Sequence, residues 1–247
     1  MSVLLIERAA GVVTATMNRP ERRNALDGEL FEGLRAVFSE VAERDEDRVV
    51  VLTGAGGAFS SGGDLAPANP SGHDTHTVLS RFHQAAQALH DCPKPVIAAV
   101  DGVAAGAGVS LALGCDLVVA TERARFALVF VRRGLALDCG ASWLAPRRVG
   151  PGKAAELALL GDWVDAAEAE RIGLVNRVVP VEELTAAASD WAARLAEHSV
   201  EAVTRIKRGL RASLAETFAE ALDREAHDQV ACAEDPDFRA RIASFRK

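Results

Sequence analysis

The chain has 247 residues, 49 % of them hydrophobic and 26 % charged, enough for one full globular core or a core with a small appendage. A net charge of −7 argues against nucleic acid or an anionic membrane surface as partner. No apolar run reaches the length of a membrane span, and the opening MSVLLIERAAG lacks the basic region and apolar length of a signal peptide.

Strands are expected over residues 3–7 and 12–17 around Gly11, and Arg19-Pro20 then breaks the chain. Asp27 is a favoured N-cap for an amphipathic helix to about residue 42, with Leu30, Leu34, Val37, Phe38 and Val41 on one face. Residues 48–53 (RVVVLT) read as a buried strand, 66–77 as a loop holding His73 and His76, and 78–90 as a helix. On that helix His83 and His90 are read as surface residues. Short extended segments follow at 95–101, 116–121 and 124–131, with an apolar helix at 109–114. Residues 134–150 form a turn and a short helix. Helices at 153–160 and 166–172 precede a last strand at 174–179. Beyond residue 181 only helices are expected, near 182–197, 200–212, 217–233 and 238–245. The alternation of strand and helix predicts an α/β core over 1–180, followed by a helical region over 181–247. Cys92, Cys115, Cys139 and Cys232 are widely spaced with no CxxC pair. They read as free thiols of a reducing cytoplasm, and no metal-ligand spacing stands out.

Two stretches carry chemistry. In KPVIAAVDGVAAGAGVSLALGCD, from Lys94 to Asp116, a strand ends in a loop with Gly102, Gly106 and Gly108 that feeds a helix. In GAGGAFSSGGDL, from Gly54 to Leu65, a second strand also ends in a glycine-rich turn. Such turns let backbone approach a ligand, and unpaired N–H groups at a helix start favour negative charge. The spacing fits neither a phosphate-binding P-loop nor a dinucleotide fingerprint. Two loops supplying one N–H each to a single oxygen would stabilise a developing oxyanion.

Together with Asn18-Arg19-Pro20, Asn24-Ala25-Leu26 and Gly173-Leu174-Val175, these stretches resemble the enoyl-CoA hydratase/isomerase (crotonase) family over nearly the whole chain. The resemblance implies a spiral of β-β-α units with a helical C-terminal oligomerisation region, assembled as a homotrimer or a dimer of trimers. It implies an acyl-CoA thioester as substrate and no separate cofactor, with the thioester oxygen held by the N–H groups of Gly63 and Ala107. It further implies that Arg22 and Arg23 meet the coenzyme A phosphates and that the Ser60-Ser61 backbone meets the adenine. Asp64, Leu65 and Gly106 complete the two loops, with Asp64 closing its turn through backbone N–H groups. Trp143 and Phe130 either wall the acyl pocket or belong to the core. Phe245 matches a C-terminal aromatic that reaches a neighbouring subunit's coenzyme A.

The acid/base positions depart from the family's hydratases. Counting from Cys115-Asp116, the two glutamate positions hold Ser110 and Phe130, neither of which transfers a proton as a carboxylate does. Asp138, in GLALDCG, matches a position where the family's double-bond isomerases, and some relatives with other chemistry, place an aspartate. One carboxylate suits isomerisation, in which a proton leaves one carbon and returns to another. Asp138 is equally a candidate N-cap for the helix after it. The expected activity is enoyl-CoA isomerisation; hydration, thioester hydrolysis and binding without catalysis are the alternatives. A Ser-His-Asp hydrolase fits poorly, because Ser110 is not in a G-x-S-x-G elbow.

Overall fold

The computed structural model describes residues 2–64 and 75–245. The chain builds a six-stranded sheet from β1 (Leu4–Ala9), β2 (Val12–Met17), β3 (Val49–Gly54), β4 (Val96–Val100), β6 (Leu117–Thr121) and β9 (Arg177–Val179), in that spatial order. β1 and β2 are an antiparallel hairpin, and every later pair is parallel. The central strands are apolar on both faces, as parallel strands covered on each side must be. Three short strands, β5 (Val103–Ala105), β7 (Arg125–Ala127) and β8 (Val164–Asp165), form a second sheet in the order β5-β7-β8; β7 falls in the extended segment expected at 124–131, whereas β5 and β8 lie outside every expected strand. With three and two residues, these two have no period to read.

Helix α1 (Gly28–Glu43) starts where Asp27 accepts a hydrogen bond from the Leu30 amide at 2.9 Å, and it buries the five expected apolar residues together with Phe31. Helix α2 (Thr75–Asp91) packs against α1, where Phe82 stacks on Phe31 at 4.0 Å. It begins at Thr75, so His76 is helical and exposed instead of part of a loop; His73 lies outside the described residues. Helix α3 (Ala107–Gly114) is buried almost along its whole length, among α2, β5 and α4 (Ala141–Leu160). α4 is broken at Gly150, which gives the two short helices read from the sequence. Helix α5 (Ala166–Arg171) follows β8.

The C-terminal helices divide in their packing. α6 (Leu184–Ala196) lies on the second face of the main sheet, burying Leu184, Ala187, Ala188 and Ala192 against Val49, Val51, Ile97 and Val119. Helices α7 (Val200–Ala212), α8 (Phe218–Glu234) and α9 (Pro236–Phe245) extend beyond it. A buried polar cluster ties α7 to the start of β4. Lys207 Nζ reaches the Lys94 carbonyl at 2.7 Å and Asp116 Oδ2 at 2.6 Å, and Arg211 meets Asp116 Oδ1 at 3.0 Å. Asp116 also accepts from the Val96 amide at 2.8 Å, so each of its oxygens has a partner. No described helix is long and apolar enough to cross a membrane.

Candidate active site

The first glycine loop is held by a residue for which the sequence suggests no separate task. Asn24 is fully buried in the left-handed region at φ 54°, which asparagine tolerates better than most residues. Its amide donates to the carbonyls of Ala55 at 2.9 Å and Ala58 at 2.7 Å, while its side-chain oxygen accepts from the Arg19 amide. Its carbonyl accepts from the Ser60 hydroxyl at 2.8 Å. The loop is thereby fixed before any ligand arrives.

The loop pairs with residue 26 on one side and with β5 on the other. Leu26 donates to the Gly62 carbonyl and accepts from the Asp64 amide, leaving the Gly63 N–H directed away from Leu26. Ser60 bridges Ala104. The first residues of α3 follow at once, so the two glycine loops meet. A methyl placed on Gly62 would stand 2.7 Å from the Ala105 carbonyl oxygen and 3.5 Å from the Ala107 nitrogen. One on Gly63 would meet nothing within 4 Å. Ala107 is the first residue of α3, where backbone amides lack intrahelical acceptors, and Gly106 before it has φ 51°. Among the described residues neither the Gly63 nor the Ala107 amide donates to backbone. Two unused donors therefore flank the junction of the loops, beside open space at Gly63.

Asp138 stands across α3 from this junction. The chain turns sharply after it, with Cys139 at φ 48° and Gly140 at φ 81°, and α4 begins at Ala141 with Gly140 as its cap. The turn engages the Asp138 backbone carbonyl, which accepts from the Ala141 amide at 3.0 Å, and leaves the carboxyl group free of the helix start. The capping expectation is therefore overturned: positive φ at two successive residues swings the side chain away from the amides it would have capped. Asp138 Oδ1 is buried without a hydrogen-bond partner. Burial pushes the carboxyl group above its ordinary range, against a downward pull from the Cys139 thiol and the His83 charge. Cys139 is itself pushed up by burial and by Asp138.

Asp138 opens onto a cavity of about 620 Å³ between α2, α3 and the start of α4. Its walls include His83, His90, Ser110, Leu111, Leu137 and Trp143, and Asp138 is the one carboxylate among its described lining residues. Both histidines line this cavity: His83 is exposed, as the surface reading expects, while His90 is half-buried, contrary to it. They lie seven residues apart on one face of α2, a spacing that the helical period could have shown. Burial, and then the nearby Arg211, push His90 below the ordinary histidine value, which favours the uncharged ring. Ser110 is 1 % exposed, and its hydroxyl donates to the Asp138 carbonyl at 3.1 Å.

The remaining candidates separate by position. Arg22 and Arg23 are exposed, and their carbonyls accept from the Ser61 hydroxyl at 3.1 Å and amide at 2.9 Å. Ser61 is half-buried beside them. Ser60 is a correction: it is fully buried, its amide donates to Val103 and its carbonyl accepts from Ala105, so its backbone is not open to an adenine from solvent. Asp64 is held by the Arg19 guanidinium at 3.0 Å, and the same arginine meets Asp27 at 3.2 Å. Phe130 is 6 % exposed and packs against Gly106, outside the lining of the Asp138 cavity, while Trp143 lines it. Leu65 and the Phe245 side chain lie outside the described residues.

Residues 7–246 match the enoyl-CoA hydratase/isomerase family. The chain belongs to this family of acyl-CoA-processing enzymes. It is 38 % identical over 250 residues to the 1,2-epoxyphenylacetyl-CoA isomerase of Escherichia coli K12, covering 99 % of this chain and 95 % of that protein. A 4-chlorobenzoyl coenzyme A dehalogenase of Arthrobacter is 32 % identical over 98 % of this chain and 89 % of its own length. Among solved structures, the enoyl-CoA hydratase of Mycobacterium smegmatis superposes with a TM-score of 0.93 at 32 % identity, covering 99 % of this chain and 96 % of that one. The crotonase-type fold expected from the motifs is the fold observed.

Proposed function

We propose that this chain is an acyl-CoA isomerase in which Asp138 removes a proton beside a thioester carbonyl and returns it to another carbon. The observation that carries the reading is the buried, unpartnered Asp138 Oδ1 facing a cavity with no second described carboxylate. The thioester oxygen takes the place between the Gly63 and Ala107 amides, which hold the charge of the enolate as it forms. A fixed backbone donor does this without reorganising, and losing one typically raises a barrier by about 3 kcal/mol. Arg22 and Arg23, beside Ser61, present two exposed guanidiniums to the coenzyme A phosphates. The coenzyme A moiety arrives as part of the substrate, and no other cofactor enters the scheme.

One 38 % identical relative bears the name of an epoxide isomerase and another, equally identical, the name probable enoyl-CoA hydratase, so the choice of proton movement rests on Asp138. Hydration is the second reading, because the structural neighbour from M. smegmatis bears the name hydratase. It would require Asp138 both to hold and to split a water that two carboxylates would otherwise share. The proposed assembly is a trimer or a dimer of trimers in the cytoplasm, built on the exposed Ile206, Leu210, Leu214, Phe218 and Leu222 of the α7–α8 region. Light scattering that gives a monomer at micromolar concentration would remove that part.

The test of the reaction is incubation with a 3-enoyl-CoA in deuterium oxide. Rising absorbance of the conjugated thioester, with deuterium entering the α- or γ-carbon, is the expected result. Neither conversion nor exchange at substrate saturation would overturn the proposal.

A further inference from the structure

The Asp138 cavity has a second cavity behind it, of about 440 Å³, and His90, Gly114, Trp143 and Leu144 line both. The second is bounded on its far side by Leu195 of α6 and by Val203, Ile206 and Leu210 of α7, so it is largely apolar. Trp143 is clamped in the partition from two directions. His90 meets the indole edge-on, with ring centroids 5.4 Å apart and planes at 83°. The Arg147 guanidinium lies over the indole ring at 3.9 Å from its centroid, and of the two cavities Arg147 lines only the second. A side chain held by an aromatic edge and a cation keeps one rotamer. On the α3 side Gly114 is packed closely by Leu89.

We propose that Trp143, held by His90 and Arg147, is the end wall of the acyl site and sets the greatest acyl length the enzyme accepts. The inference rests on the reading that the Asp138 cavity receives the acyl group. An acyl chain attached to a thioester at the Gly63–Ala107 junction passes Ser110 and Asp138 and meets the indole. Shortening that side chain joins the two cavities and gives the chain a further apolar path toward Leu195 and Val203, short of the Ile206 and Leu210 face assigned to subunit contact. Each methylene that gains burial raises affinity about fourfold.

The experiment uses a series of saturated acyl-CoA thioesters of increasing chain length, with dissociation constants measured by calorimetry, so no turnover is needed. For the wild type, affinity should climb with length and then level off or fall. For Trp143→Ala the climb should continue past that point, reaching more than tenfold tighter binding for chains two or more methylenes longer. Trp143→Phe should fall between the two. Trp143 is 41 % exposed, so its removal leaves the core intact, and His90→Ala opens the same partition from α2 as an independent check. The same length limit in wild type and both alanine variants would overturn the wall. A shifted limit in a protein without isomerase activity would sustain the wall and defeat the isomerase reading. Turnover with an unmoved limit would do the reverse.

Discussion

The Ser110 hydroxyl donates to the Asp138 backbone carbonyl at 3.1 Å, joining helix α3 to the turn that carries the cavity's carboxylate. The same hydroxyl lies 3.4 Å from the Gly106 carbonyl, one turn back on α3. Ser110 occupies a position where the resemblance places a glutamate in hydratases of the family, and here it holds the proposed acid/base residue instead of being one. The two glycine loops and Asp138 are therefore referred to one short helix.

Ser110→Ala should lower kcat with little change in KM. A hydrogen bond of this kind contributes about 1 kcal/mol, so the loss should be about three- to tenfold if that energy holds the Asp138 turn in place. Steady-state kinetics separates the cases: a change confined to KM, or none in either constant, would show the tether to be idle.

Asp138→Asn should retain fold and coenzyme A affinity while losing about 10²-fold or more of isomerisation and α-exchange. Stability gives an independent readout. The folded carboxyl group titrates above its unfolded value of 3.8, so its ionisation costs stability. That cost is absent below the unfolded value and fully present above the folded one. The amide cannot ionise and escapes it. The urea midpoint at neutral pH should therefore match or exceed that of the wild type, whereas a clear fall would mark Asp138 as a structural residue.

Adjacent glycines should respond in opposite ways. Gly62 has φ 94°, and its added methyl would meet the Ala105 carbonyl oxygen at 2.7 Å, so Gly62→Ala should cost about 1–3 kcal/mol of stability and part the two loops. At Gly63 the methyl meets nothing within 4 Å. Gly63→Ala should fold with wild-type stability and yet lose activity, because the methyl enters the space proposed for the thioester. Thermal unfolding and turnover on the same preparations check both. An active Gly63→Ala enzyme would move the oxyanion site elsewhere.

The elements that follow from length and periodicity are those the sequence shows: α1 with its Asp27 cap, the apolar central strands, and the helices after residue 181. The two donor loops are legible because glycine marks close approach whatever the surrounding fold. What stays hidden depends on contacts distant in the chain. Strands β5 and β8 are too short for alternation. The fate of the Asp138 side chain is decided by positive φ at Cys139 and Gly140, and a cysteine gives no warning of that conformation. His83 and His90 look like ordinary polar positions until α3 and α4 are placed opposite α2. Ser60 lies in a recognisable motif, but its backbone is consumed by Val103 and Ala105, more than forty residues further along the chain.

His83 offers a test by pH. Proton removal requires the ionised carboxylate, so kcat/KM should rise with pH through the raised Asp138 titration. The His83 charge pulls that titration down. His83→Gln removes the pull, and the rising limb should move to higher pH. A limb that stays in place, or moves to lower pH, would show that the two groups are not coupled.

The last prediction concerns water. Hydration of a conjugated thioester needs one group to hold and deprotonate water and another to deliver a proton, each worth about 10²–10⁴-fold. Ser110 is committed to the Asp138 carbonyl, and Phe130 presents hydrocarbon beside Gly106. Crotonyl-CoA hydration should accordingly run orders of magnitude below that of a two-glutamate relative, measured as loss of the conjugated absorbance. Ser110→Glu should not restore it. The position is 1 % exposed, so the longer side chain crowds α3, releases the Asp138 turn and places a second carboxyl group in a cavity with no described acidic partner but Asp138. Two neighbouring carboxylates resist ionising together, and Phe130 still fills the other glutamate position. The variant should lose about 1–3 kcal/mol of stability and its isomerase activity together. Vigorous hydration by the wild type, or by Ser110→Glu alone, would show that Asp138 can hold the water by itself, and the hydratase reading would then replace the isomerase one.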